Sequence, residues 1–154
     1  MNTVRANTLF SIRYAVRVLE RQAVMWGRIS GTLKLASLFS GTSALSALMA
    51  SSPTVAVVVG VLFALLQAIE TVLKADDHSA NARFQRRDYA RLLSRQDSLS
   101  DAELEREYQT IVADDDISVW RPIKELAYND VLDERGLDPA EKYTTNWIFL
   151  LISS

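Results

Sequence analysis

The stretch from Leu35 to Ile69 reads LASLFSGTSALSALMASSPTVAVVVGVLFALLQAI, and its reading decides the fold. These 35 residues contain no Asp, Glu, Lys, Arg or His, and Lys34 and Glu70 bound the run. As one straight α-helix it would extend about 52 Å at 1.5 Å per residue, well beyond a hydrocarbon core of about 30 Å. The run therefore has to fold back. Ser51-Ser52-Pro53-Thr54 is the place to do so, because proline disfavours helical backbone in the residue before it. The pattern predicts a membrane hairpin with its turn at 51–54 and legs over Leu33–Ala50 and Thr54–Leu73.

The two legs differ in chemistry. Ser37, Ser40, Gly41, Ser43, Ala44, Ser46 and Ala47 make the first leg small and weakly polar. Spacings of four, as in Ser37/Gly41 and Ser43/Ala47, let helix backbones approach closely in lipid. This face is expected to pack against a neighbouring helix or to line a pore. The second leg, rich in valine and leucine, is the lipid-facing partner. Gln67, Glu70 and Lys74 are the polar residues at its end. Glu70 and Lys74 have the spacing of an i, i+4 ion pair, and an ionisable residue near a membrane span is a candidate for gating or selectivity.

Outwards from the hairpin, the flanks set topology. Residues 1–34 hold six Arg/Lys and 74–95 six more, whereas the turn holds none. The positive-inside rule then places both termini in the cytoplasm. Residues 1–33 read as a cytoplasmic amphipathic helix. Met1–Asn7 is expected to fray, and Ile12, Val16, Leu19, Ala23, Trp26, Ser30 and Leu33 form a seam at alternating steps of four and three. Arg13, Arg17 and Arg21 form a separate stripe, extended by Arg28. Residues 74–97 read as an unbroken continuation of the second helix, with Tyr89 and Leu92 in its apolar stripe. The two helices are expected to pair as an antiparallel stalk, its cohesion coming from the buried seam. The arginines of the second helix are expected to be solvated or to face lipid headgroups.

Residues 98–154 predict an acidic tail of three shorter helices. Residues 97–141 carry fourteen Asp/Glu against four Arg/Lys. Ser100 with Glu103 has the capping-box spacing, and Asp114-Asp115-Asp116 suits a helix stop. Pro122 suits a helix start and Gly136 a helix end, with Ile123, Leu126, Ala127 and Val131 facing inwards. Asp138-Pro-Ala-Glu141 resembles a further cap. The run from Trp147 to Ile152 is too short to span a bilayer. It reads as a packed helix end, a short strand or a dip into the membrane interface. The fold class is thus all-α.

Composition excludes much chemistry. The chain has no cysteine and a single histidine, His78, so thiolate metal sites are excluded and the common nucleophile–base pairs reduce to His78 with a serine, which no motif places beside it. No glycine-rich phosphate loop, GxSxG or HExxH occurs. No enzyme activity, cofactor, metal site or direct nucleic-acid partner is expected. No cleavable signal segment is read, so the apolar run is expected to stay with the chain.

Tyr14, Arg21 and Trp26 on the first helix, two closely spaced apolar helices, and the series His78, Ala82, Tyr89 and Leu92 on the continuation carry a resemblance. With the acidic helical tail, this layout resembles the SLATT family, two-transmembrane effectors of bacterial anti-phage defence systems. The resemblance implies an inner-membrane protein that forms a homo-oligomer and permeabilises or depolarises the membrane. Its trigger would be a sensor protein from the same operon. A non-conducting membrane anchor or scaffold and a phage holin-like pore are the competing expectations.

Overall fold

A computed structural model describes residues 3–40, 50, 52–115, 117–136, 142–144 and 146–153. The regular structure among them is helical: α1 (Thr3–Ser40), α2 (Pro53–Leu73), α3 (Ala75–Ser94), a 3₁₀ turn (Gln96–Ser98), α4 (Asp101–Ala113), α5 (Arg121–Arg135) and α6 (Trp147–Ser153). The all-α expectation holds. The expected cap at 138–141 lies outside the described residues, as does Ser51 of the expected turn, but Ser52 is extended and Pro53 opens α2. The chain divides into two compact units, residues 1–25 with 79–154, and residues 26–78.

The first unit is held by an apolar core and by charge. Leu9, Ile12, Leu19, Ala23, Ala82, Tyr89, Leu92 and Leu104 form one buried cluster, with Val16, Leu93 and Tyr108 packed against it. Ile12 and Leu104 are fully buried. α5 adds Ile123, Leu126, Ala127, Val131 and Leu132. Of these, Ile123, Leu126, Ala127 and Val131 are the inward face read from its sequence. Ser79 Oγ donates to the Ala23 carbonyl at 2.9 Å, satisfying a hydroxyl that has no access to water.

Local signals set the helix ends. Ser100 Oγ accepts from the Glu103 backbone N–H while the Glu103 carboxylate accepts from Ser100 N–H, the reciprocal capping box. Glu103 is held below the usual carboxylate range by the Ser100 hydroxyl and backbone amide. Asp114 closes α4. Gly136 closes α5 at φ 61°, a left-handed conformation that costs glycine little because it lacks Cβ.

Two expectations need correction here. Residues 3–7 do not fray: α1 starts at Thr3. The reason is Arg5, whose guanidinium donates to Asp101 Oδ1 at 2.8 Å and to the carbonyls of Leu99 and Gln96. Arg5 thereby ties the helix start to the 3₁₀ turn and the head of α4. The arginines after residue 74 are also not uniformly solvated: Arg86 is half-buried and pairs with Glu20, while Arg83, Arg87 and Arg95, the last paired with Glu107 beyond α3, are exposed.

The acidic tail folds onto the basic stripe of α1. Arg21 grips Asp130 with two near-parallel hydrogen bonds, Nε to Oδ2 at 2.6 Å and Nη2 to Oδ1 at 2.7 Å. Arg17 pairs with Glu134 and with Glu20. Thr8 Oγ1 donates to Glu105, holding that carboxyl low as well. Planar fork-to-carboxylate pairing of the Arg21 kind is geometrically specific and strong for a hydrogen bond.

Tyr89 lies at the centre of the unit, 1% exposed, and its hydroxyl donates to Asp115 Oδ2 at 3.1 Å. Burial, then the adjacent Asp115 carboxylate, pushes the phenol well above its ordinary value. In the unfolded chain Tyr89 ionises near pH 10.0, whereas the folded chain keeps it protonated well above that pH. Its stabilising contribution is present below that pH and is lost as pH rises above it, by about 1.4 kcal/mol per pH unit for one proton. Tyr89→Phe is expected to flatten the stability decline above pH 10, measured by denaturant unfolding at stepped pH. In a second test, Arg21→Ala is expected to destabilise the fold by about 1.5–3 kcal/mol. Because the two side chains are 15% and 29% exposed, Asp130→Asn in the Arg21→Ala background should add little, as a double-mutant cycle would measure.

Candidate functional site

The second unit contains the apolar run, and α2 forms it without burying any residue. Val57, Val58, Val61, Leu62, Leu65, Ile69 and Val72 point outwards, from 46% exposed at Ile69 to 80% at Val72. Ala56, Val59, Phe63, Leu66, Glu70 and Leu73 are half-buried, at alternating steps of three and four. That is the spacing of one seam facing a partner helix. α2 therefore has an inner seam and a broad aliphatic outer face. It is long and apolar enough to cross a membrane.

Glu70 belongs to the seam, and this changes its partner. Ser37 Oγ on α1 donates to Glu70 Oε2 at 3.3 Å. The expected Glu70–Lys74 ion pair does not form among the described residues. An i, i+4 pair needs continuous helix, and Lys74 leaves it at φ 44°, ψ 45°. The unbroken second helix is corrected accordingly: α2 ends at Leu73 and α3 starts at Ala75. The Lys74 N–H still donates to the Glu70 carbonyl, and the His78 N–H to the Lys74 carbonyl. A residue with Cβ costs about 1–2 kcal/mol in the left-handed region, so contacts on either side must hold the break.

Those contacts are polar and lie on successive turns of α1. Asp76, in the first turn of α3, accepts from Ser30 Oγ at 2.6 Å and from Lys34 Nζ at 2.5 Å. Lys34 and then Ser30 hold the Asp76 carboxyl below its ordinary range. Trp26 is buried and stacks on His78, ring centroids 4.9 Å apart. Trp26, Ser30, Lys34 and Ser37 thus meet His78, Asp76 and Glu70 in reverse chain order, a polar ladder beside an aliphatic helix.

Of the residues singled out in the sequence, Ser37 and Glu70 meet. Gln67 is exposed and receives the Thr71 hydroxyl at its carbonyl. Ser40 is the last residue of α1, and its side chain lies outside the described residues. Gly41, Ser43, Ala44 and Ala47 also lie outside them. Ile12, Leu19, Tyr89 and Leu92 are buried in the first unit, Val16 partly so. Ser30 and Asp76 were missed as partners. The usable signal was the pair Asp76-Asp77 directly after Lys74, acids placed where a helix start favours them. Among the described residues no group of three His or acidic side chains is placed to hold a metal ion.

Comparison with protein-family models, with curated proteins and with solved structures finds no match to this chain.

Lys74→Gly is expected to stabilise the break. Removing the Cβ penalty outweighs the roughly 0.5–1 kcal/mol entropic cost of glycine. The variant should show a net gain of up to about 1 kcal/mol in denaturant unfolding in detergent. Asp76→Asn should weaken the same junction, read as faster backbone amide exchange at residues 74–78.

Proposed function

We propose that this chain is a membrane-embedded effector that oligomerises and permeabilises the bacterial inner membrane when a partner sensor triggers it. The observation that carries the reading is the outer face of α2. Each large aliphatic side chain left in water forgoes much of the ~1.5–3 kcal/mol that its burial yields, and seven of them stand exposed on one helix. A hydrocarbon phase removes that cost. A single apolar helix supports membrane association in general. The two-legged hairpin, the cytoplasmic termini and the effector role come from the charge pattern of the flanks and from the resemblance to the SLATT family.

The polar ladder supports a conducting role over simple anchoring. An anchor needs lipophilic legs and gains nothing from a carboxylate on its seam. Glu70 and Ser37 face one another on the inner side of the unit, where exchange of partners between copies would place a weakly polar, acid-bearing strip along a path between helices. In this reading the small residues Ser37, Ser40, Gly41, Ser43, Ala44 and Ala47 form the helix–helix or pore face, and the lipid bilayer and further copies are the first partners. The non-conducting anchor is the second reading, favoured by the exposed Trp147, Ile148 and Leu150 of α6, which a recruited protein would cover.

The full chain reconstituted into anionic phospholipid vesicles tests both. A conducting effector dissipates a potassium diffusion potential as the protein-to-lipid ratio rises, and Glu70→Gln or Ser37→Leu slows the dissipation severalfold. An anchor floats with the vesicles but leaves the potential intact. A chain that stays monodisperse in buffer without detergent and does not float with vesicles removes both readings.

A further inference from the structure

The first unit contains an open cleft of about 210 Å³ lined by Tyr14, Arg121, Lys124, Glu125, Tyr128 and Tyr143. It is assembled from α1, from the first turns of α5 and from the segment 142–144. Tyr128 is its hub: its ring meets those of Tyr14 at 6.5 Å and Tyr143 at 5.5 Å, both edge-to-face. Phe10 supports Tyr128 from behind at 5.8 Å, and the Arg135 guanidinium covers Phe10. Tyr143 is pinned at its backbone by Asn129, whose amide donates to the Tyr143 carbonyl and accepts from the Tyr143 N–H, both at 2.8 Å. The walls are therefore aromatic and preorganised, although Tyr143 remains half exposed.

The polar groups lining the cleft are one paired cation, one carboxylate, a second cation and three phenols. Arg121 is neutralised by Glu125 at 2.8 Å. Lys124 and the three phenol hydroxyls have no side-chain partner among the described residues. Burial and the neighbouring Tyr143 raise the Tyr14 phenol, so it stays protonated and can donate. Among the described residues, the Lys124 ammonium thus has no carboxylate partner. A second observation agrees. α5 has no acidic residue in its first turn, and places Arg121 there with Lys124 just after it. Cations at the positive pole of a helix are locally unfavourable. Such a departure from local preference is expected where a ligand supplies the missing charge.

We propose that this cleft is a binding site for a small planar organic anion, an aromatic ring bearing one phosphate or carboxylate group. The ring would lie among Tyr14, Tyr128 and Tyr143, and the anionic group would take the Lys124 ammonium and the phenol hydroxyls. The volume is below the 300–1,000 Å³ typical of sites for drug-sized ligands, which limits the body to about one ring. The site is independent of the membrane reading, since it uses residues of the first unit alone.

Isothermal titration of the full chain in detergent tests it with phenyl phosphate, benzoate, inorganic phosphate and benzyltrimethylammonium. Phenyl phosphate or benzoate is expected to bind, the tighter of the two naming the anionic group, with inorganic phosphate about tenfold weaker for want of a ring. Lys124→Gln should weaken the aryl anion about tenfold, the equivalent of about 1.4 kcal/mol, while Lys124→Arg retains most of the affinity. Lys124 is exposed, so an unchanged circular dichroism spectrum and melting midpoint are expected for both variants. Absence of heat with both aryl anions at millimolar concentration overturns the proposal. So does preference for the aryl cation, or equal binding by the wild type and Lys124→Gln.

Discussion

Among the described residues nothing covers the outer face of α2, and that constraint governs the second unit. Valine, leucine and isoleucine side chains stand exposed over the length of a helix that buries no residue. A soluble protein hides such a face under another helix. Here the seam through Val59, Phe63 and Leu66 takes up the inner side only. The second unit is therefore incomplete in water, and the polar contacts that do form, Ser37 with Glu70 and Lys34 and Ser30 with Asp76, lie along its inner side or at its charged end.

The first unit solves the opposite problem. Its tail helices α4, α5 and α6 are short, at 13, 15 and 7 residues, and helices of such lengths are marginal alone. Apolar burial around Tyr89 and Leu104 supplies cohesion, while the arginines of α1 fix which acidic helix lies where. A guanidinium that grips a carboxylate with two bonds, as Arg21 does with Asp130, tolerates little change in register. Arg5, Arg17 and Arg21 of α1 each find an acidic partner from the tail within this unit.

Much of this was legible in the residues because it is local. The uncharged run, the capping box at Ser100, the proline and glycine bounding α5 and the inward positions Ile123, Leu126 and Val131 all act over a few residues, and periodicity reports them. The seam residues Ile12 and Leu19 were readable for the same reason. What escaped was long-range or conformational. Arg5 looked like part of a frayed end because Asp101 is 96 residues away, and nothing in a heptad pattern links them. The break at Lys74 escaped because lysine is an ordinary helix residue, and only contacts made by Asp76 and His78 outweigh that preference. The tyrosines of the cleft came from three separate segments and carried no common spacing.

The pairing of Arg21 with Asp130 spans 109 positions of chain. During synthesis, α1 therefore leaves the ribosome long before the acids that will cover its arginines exist, and α2 emerges in between. Non-local contacts of this kind close slowly. The apolar helix has time to meet a bilayer while the N-terminal cations are still uncovered and free to be held at an anionic surface. In the membrane reading proposed above, vectorial translation orders the two events, with lipid insertion first and closure of the charged unit last.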